Sequence, residues 1–171
     1  MKTLFTILAI ASMAFLSSCD IFDNEPELPP ITTEGKGTFG CLINGNVWTP
    51  LSNSSQGGVF VDLQNSTNTV GVNIYADNYK ENNGITISIF DDPTLKVNQQ
   101  YDLKDIKFFT QYSWHNDLKI CSYDSILTGS ITLSRFNISS KIVSGVFDFK
   151  AYSKDCEDSI VVTNGRFDLM F

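Results

Sequence analysis

Short segments in which apolar and polar residues alternate are the feature that most restricts the fold of this chain. In residues 85–90, Ile85, Ile87 and Ile89 share one face of an extended strand. Successive side chains of a strand point to opposite faces, so such a segment predicts a half-buried β-strand. The predicted strands are residues 38–43, 46–50, 59–63, 69–76, 85–90, 100–103, 108–112, 128–136, 143–152 and 160–171.

About ten short strands at this spacing, with no capped segment of helical periodicity, are typical of an all-β fold. We therefore predict an antiparallel β-sandwich, with a lipocalin-like closed barrel as the alternative. Asn44-Gly45 lies between two alternating segments and predicts a two-residue hairpin turn of type I′. Residues 113–123 are more polar and irregular, and we expect a loop there.

The N-terminal 18 residues have the composition of a secretory signal. Lys2 precedes an apolar segment, residues 4–16, that is shorter than the ~20 residues needed to span a bilayer. Leu16-Ser17-Ser18-Cys19 follows, and the chain becomes polar immediately afterwards.

This stretch resembles the lipobox of bacterial lipoprotein precursors. The resemblance implies that a signal peptidase recognises Leu16, Ser17 and Ser18, and that Cys19 becomes a lipid-bearing N-terminus. One acyl chain holds a protein only marginally, whereas two or more make a stable anchor. The predicted partner is therefore a membrane, and the predicted covalent group is a lipid on Cys19, with no other cofactor.

Residues 19–36 contain five acids and three prolines and precede the first alternating segment. We predict that they form a solvated linker between the signal peptide, residues 1–18, and a single domain, residues 37–171. Fully extended, the linker would reach roughly 55–60 Å. Its acids lie at Asp20, Asp23, Glu25, Glu27 and Glu34.

An acidic cluster after the lipidated cysteine resembles the surface-export signal of some Gram-negative lipoproteins. An Asp directly after the cysteine resembles an inner-membrane retention signal instead, and a plain spacer is the third interpretation. We predict an outer-membrane, surface-exposed protein, with the periplasmic face as the alternative.

A second resemblance is carried by Gly37-Thr38-Phe39, by Asn44-Gly45 and Trp48, and by residues 144–149 and 162–168. These segments resemble a Gram-negative family of small uncharacterised β-rich lipoproteins. They cover both ends of the domain and consist of turn glycines and core aromatics. The resemblance therefore implies fold and location but no activity.

Three cysteines remain once Cys19 carries lipid. We predict a disulfide between Cys121 and Cys156, which lie at strand ends near the closing hairpin, with three free thiols as the alternative. Cys41 alternates with Phe39 and Ile43, so we expect it in the core.

Four aromatic residues of the irregular middle section are the predicted ligand-binding residues: Tyr101, Tyr112, Trp114 and Tyr123. Rings beside Asn and Asp suit the C–H faces and hydroxyls of sugars, and loops of β scaffolds often carry function. The alternative is that these rings only cover the edge of the sandwich. We expect binding of an extracellular glycan or protein, or else a structural envelope-interaction role without a small-molecule site.

The sequence does not favour catalysis or nucleic-acid binding. His115 is the single histidine and lies in a polar segment, and no nucleophile or phosphate-binding motif is present. The net charge is −7, without a basic stripe to neutralise phosphates. Asp91-Asp92 and the acids at 155, 157 and 158 lack the spacing of a calcium loop. We therefore predict no catalytic residue and no metal site.

Asp124-Ser125-Ile126 and Asp158-Ser159-Ile160 match the short Asp-Ser/Thr-aliphatic acceptor of O-glycosylated exported proteins in some Gram-negative bacteria. Ser125 and Ser159 are thus candidate O-glycosylation sites, with plain strand-edge serines as the alternative.

Overall fold

The computed structural model describes residues 27–52, 58–66, 69–90, 95–105, 108–115 and 119–171. The described strands are β1 (Thr38–Ile43), β2 (Asn46–Trp48), β3 (Val59–Ser66), β4 (Thr69–Asn78), β5 (Asn83–Phe90), β6 (Gln100–Asp102), β7 (Phe108–His115), β8 (Ile120–Tyr123), β9 (Ser125–Asn137), β10 (Ile142–Ser153) and β11 (Asp158–Met170). In this part of the chain, no helix is long and apolar enough to cross a bilayer.

The strands form two antiparallel sheets. One has six strands in the order β2-β1-β11-β10-β9-β6, and the other has five in the order β3-β4-β5-β7-β8. The described strands do not close into a barrel, so the predicted β-sandwich is confirmed and the barrel alternative is wrong.

The core lies between the two sheets and is built from the alternating positions. Ile74 and Ile87 from the five-stranded sheet face Ile131, Phe149 and other apolar side chains of the six-stranded sheet, and all four are at most 2% exposed. Phe39 packs against Phe147 and Phe167 with ring centroids 5.5 and 6.5 Å apart. Because alternate residues supply this layer, the other face of each sheet points outward.

The first hairpin confirms the predicted turn. Asn44 and Gly45 have φ values of 50° and 86°, the left-handed values that a type I′ turn requires at both central positions. They connect β1 to the short edge strand β2, whose Trp48 pairs with Cys41.

The loop predicted for residues 113–123 is largely wrong. β7 extends to His115, and β8 follows at Ile120, with Trp114 paired to Cys121. Polar outward residues such as Ser113 and Ser122 made this region look like a loop, although they are the outer positions of paired strands.

The predicted domain boundary is also wrong. Residues 27–36, assigned to the linker, lie against the outer face of the six-stranded sheet and return to enter β1. We call residues 27–36 the strap. The signal peptide and the rest of the linker, residues 1–26, lie outside the described residues.

Candidate functional site

The strap crosses the outer face of the six-stranded sheet from β1 towards β9. Pro29 lies over Gly40, close enough that a Cβ added at Gly40 would be 2.7 Å from Pro29 Cδ. Arg166 Nη1 donates to the Pro29 carbonyl at 3.3 Å, and Arg135 Nη1 donates to the Thr33 carbonyl at 2.9 Å. Two arginines of the sheet therefore hold two carbonyls of the strap.

The carboxylate of Asp168 fastens the other end of the strap. Asp168 is on β11 and is only 1% exposed, although it points to the outer face of the sheet. Its two oxygens accept five hydrogen bonds, from Thr32 Oγ1 (2.6 Å), Ser144 Oγ (2.6 Å) and the backbone amides of Gly35 (2.8 Å), Glu34 (3.0 Å) and Lys36 (3.2 Å). Four of these five donors belong to the strap.

These contacts fix the charge of Asp168. Burial alone would raise the pKa of this carboxyl, but the hydrogen bonds led by those from Ser144 and Thr32 outweigh burial and hold the pKa below its ordinary range. An ionised carboxylate enclosed by donors has no lone pair directed at solvent. We therefore assign Asp168 a structural role.

A polar groove lies next to the strap on the same outer face. It encloses about 430 Å³ and is bounded on one side by Ile31 of the strap. Its polar lining comes from β6, β9, β10 and β11, with Gln100, Ser130, Thr132, Asp148, Asn164 and Arg166 among its residues. We call it the outer groove.

Strand register places the groove residues in a row. Gln100 pairs with Thr132, and Ser130 pairs with Asp148. Gln100 Nε2 donates to Ser130 Oγ at 2.8 Å, and Ser130 Oγ donates to Asp148 Oδ2 at 2.7 Å. This chain of hydrogen bonds orients the Asp148 carboxylate and the Gln100 amide, both exposed. Donors and acceptors fixed on a sheet face suit a ligand with several hydroxyl groups.

The four predicted ligand-binding residues do not form such a surface. Tyr101, Tyr112 and Tyr123 are 8%, 6% and 7% exposed and belong to the core. Trp114 is half-buried and packs against the same core. Tyr101 is on the six-stranded sheet and the other three are on the five-stranded sheet. Their expected role as a common ligand-binding face is wrong, because their rings point inward.

The hydroxyl groups of two of these tyrosines have partners within the fold. Asn83 Nδ2 donates to Tyr112 Oη at 3.2 Å, while Asn83 Oδ1 accepts a 2.7 Å hydrogen bond from the Trp48 indole. Burial raises the pKa of Tyr112 above its ordinary value. The Lys96 amide donates to Tyr101 Oη at 2.7 Å. These pairings allow large amphipathic rings to be buried.

The cysteines have different environments. Cys121 and Cys156, the predicted pair, form a disulfide with their Cα atoms 5.7 Å apart. The bond ties β8 of one sheet to the turn between β10 and β11 of the other, and the chain-entropy model gives about 3–4 kcal/mol for such a loop. Cys41 is a free thiol with no exposed surface, as expected, and burial raises its pKa to about 12.

The two candidate glycosylation serines are brought close together by the register of the sheet. Ser125 of β9 and Ser159 of β11 both pair with Tyr152 of β10, one on each side. Both serines are half-buried. The two Asp-Ser-Ile segments therefore lie at one end of the six-stranded sheet, and their modification stays a prediction.

Several other predicted residues lie beyond the described part of the chain. Leu16, Ser17, Ser18 and Cys19 are outside it, as are Asp91 and Asp92 and the side chain of His115. Among the described residues, no three His, Cys, Asp or Glu side chains are grouped so that they could hold a metal ion.

Sequence reasoning missed both the strap and the outer groove. Asp168 appears in the sequence as an ordinary outward acid of the last strand, and its partners in the strap are more than 130 residues away. The alternation of Ser130 and Thr132 in β9 was a usable signal of a polar outer face that was not read, and only the strand order shows that β6 and β10 flank it. No protein-family model, curated protein or solved structure matches this chain.

Proposed function

We propose that this protein is a lipid-anchored protein of the cell envelope, exposed at the outer-membrane surface, that binds a glycan in the outer groove without catalysing a reaction. The lipobox resemblance at Leu16–Cys19 supports the anchor, and the acidic residues after Cys19 support surface exposure. The observation that carries the binding proposal is the hydrogen-bonded row of Gln100, Ser130 and Asp148.

The size and chemistry of the outer groove are consistent with a small glycan. Its volume of about 430 Å³ is in the range of small-ligand sites, roughly 300–1,000 Å³. Asp148 offers carboxylate acceptors, and Gln100 and Arg166 offer donors. Neighbouring sugar hydroxyls both donate and accept, so they can bind all three groups.

Binding can be tested with the soluble domain on a glycan array. We expect Asp148→Asn to weaken glycan binding by about tenfold, because one hydrogen bond to a charged group is worth roughly 1.5–3 kcal/mol. Asp62→Asn, at another exposed acid on the five-stranded sheet, is the matched control and should bind normally. Equal binding by both variants, or no glycan bound by the parent domain, would contradict the proposal.

The anchor is tested separately. Cys19→Ala should leave an uncleaved precursor or a soluble protein, because the acylated thiol is lost. Membrane fractionation of cells expressing each chain provides the measurement, and a Cys19→Ala protein that fractionates like the parent would refute lipidation.

The second candidate is an envelope-interaction protein without a small-molecule site. The observation that favours it is the burial of Tyr101, Tyr112 and Tyr123, which removes the aromatic surface expected for sugar stacking. An array without a bound glycan, together with an intact membrane anchor, would favour this second role.

A further inference from the structure

A fixed apolar surface lies at the free edge of the five-stranded sheet. Among the described strands, β3 pairs with β4 alone. Phe60 of β3 is 63% exposed, Tyr79 after β4 is 43% exposed, and Leu51 is 39% exposed. The three side chains line one shallow groove of about 190 Å³. We call Leu51, Phe60 and Tyr79 the edge patch.

Backbone hydrogen bonds hold the edge patch in place. The Leu51 amide donates to the Asp77 carbonyl at 2.9 Å, and the Tyr79 amide donates to the Leu51 carbonyl at 3.0 Å. Phe60 stacks on Tyr75 with ring centroids 6.2 Å apart. Large apolar side chains exposed together on a fixed backbone indicate an interaction surface.

The strap begins beside this patch. Glu27, its first residue, lines a groove of about 480 Å³ with Pro50, Gly58 and Val59. Gly58 and Val59 also line the groove of the edge patch. Glu27, the first residue that the structure describes, therefore lies next to the edge patch.

The length of that preceding chain limits where the patch lies in the anchored protein. With the strap bound to the sheet, residues 19–26 alone connect the lipid-bearing Cys19 to Glu27. Eight residues reach at most roughly 26–29 Å when fully extended. This is about half the reach of a linker that ended at residue 36, so Glu27, which lies beside the edge patch, is held within that reach of the lipid.

We propose that the edge patch docks on the phospholipid bilayer that holds the anchor. This inference rests on the proposed lipidation of Cys19. Aromatic side chains favour the interface between headgroups and acyl chains, where Phe60 and Tyr79 would insert with Leu51. Asp77, the acid in the same groove, would remain among the hydrated headgroups. Lipid and patch together then fix the orientation of the domain.

The test uses the full lipidated chain in vesicles of phosphatidylethanolamine and phosphatidylglycerol that contain a headgroup-attached nitroxide quencher. One variant, Tyr79→Cys, carries a fluorescent label in the patch. The matched variant, Leu127→Cys, carries it at a 40% exposed residue of β9 next to Lys150, at the opposite end of the six-stranded sheet from Thr38. Buried Cys41 should not compete for the label.

We expect the label at Tyr79 to lose most of its fluorescence and the label at Leu127 to keep it. Equal quenching at both positions, or none at either, would overturn the docking. A label at Tyr79 that stays unquenched while the protein floats with the vesicles would reassign the patch to a protein partner. A chain that does not float at all would refute the anchor and the docking together.

Two further variants separate docking from mere proximity. A long Gly/Ser insertion between Asn24 and Glu25 should leave the label at Tyr79 quenched, because the patch itself binds lipid. Loss of quenching after the insertion would contradict docking. Leu51→Ser with Phe60→Ser should reduce quenching, whereas Leu127→Ser with Val161→Ser, at two 40% exposed apolar positions outside the patch, should not.

Discussion

Two neighbouring regions of the molecule depart from the usual distribution of polar and apolar groups. Beneath the strap a carboxylate is buried, and in the edge patch an aromatic ring is exposed. Asp168, a carboxylate, is 1% exposed, whereas Phe60, a phenylalanine, is 63% exposed. The buried carboxylate is accounted for within the chain, since five donors surround it. The described chain supplies no comparable cover for the exposed ring.

This difference shows how to distinguish a residue with unusual burial that supports the fold from one that we propose for binding. A buried charge costs free energy unless hydrogen bonds compensate for it, and at Asp168 they do. An exposed aromatic ring is tolerated in the free protein, and in our proposal a cluster of such side chains on a rigid frame binds a membrane. We therefore expect substitutions at Asp168 to change stability and substitutions at Phe60 to change binding.

Asp168→Ala should have the largest effect. It leaves five donors without their acceptor, so the free energy of unfolding should fall by about 3 kcal/mol or more. Chemical denaturation of the soluble domain measures this loss. Asp148→Ala, at an exposed acid on the same sheet face, should stay within about 0.5 kcal/mol of the parent. Equal effects at the two positions would contradict the role given to Asp168.

Acid should weaken the strap in the parent protein next. The folded-state pKa of Asp168 is lowered, so its contribution to stability is complete above the unfolded-state pKa, about 3.9. That contribution is lost as the pH falls from there through the folded pKa. Denaturation midpoints measured below about pH 4 should fall more steeply for the parent than for Asp168→Asn. Parallel curves would show that other acids dominate.

Gly40→Ala should have a smaller effect, confined to the strap. The new Cβ would lie 2.7 Å from Pro29 Cδ, so the strap must shift. We expect a loss of about 1–2 kcal/mol and faster hydrogen exchange at the amides of Gly35 and Lys36. Exchange rates equal to those of the parent would mean that Pro29 adjusts without loosening the contacts of Asp168.

Phe60→Ser should change stability least. The ring is mostly exposed, and the substitution removes its stacking on Tyr75. Such a ring pair contributes about 0.5–1.5 kcal/mol to the free energy of unfolding. Thermal unfolding of the soluble domain gives this value. A destabilisation as large as that of Asp168→Ala would mean that Phe60 supports the fold, and the contrast between the two regions would disappear.

Local patterns in the sequence were sufficient to predict the strands of the sheets, but not the strap that covers the six-stranded sheet. Alternation identified the buried faces of β4, β5 and β10, and Asn44-Gly45 identified the first turn, because both depend on near neighbours. Residues 27–36 are held in place by contacts with Asp168, which is far away in the sequence. Because this partner is distant, their prolines and acids predicted only a solvated linker. The composition of a segment indicates how it behaves in isolation, but not which side chains it contacts in the folded protein.

The candidate site was missed for a related reason. Tyr112 and Tyr123 were expected on a ligand-binding surface, yet their rings contact each other in the core with centroids 5.5 Å apart. Outward-facing positions of β7 and β8 such as Ser113 and Ser122 are polar, and these polar residues led to the prediction of a loop. The outer groove combines residues from four strands, so it became visible only with the strand order.

The pairing of the first strand with the last has a consequence for the order of events during folding. Thr32 and its acceptor Asp168 are 136 residues apart, and β1 pairs with β11, so the strap cannot bind the sheet until β11 is available. A lipid attached at Cys19 would hold an open chain until then. Under the proposed lipidation, arrival of β11 would remove ten residues from the free tether and draw the finished domain towards the membrane.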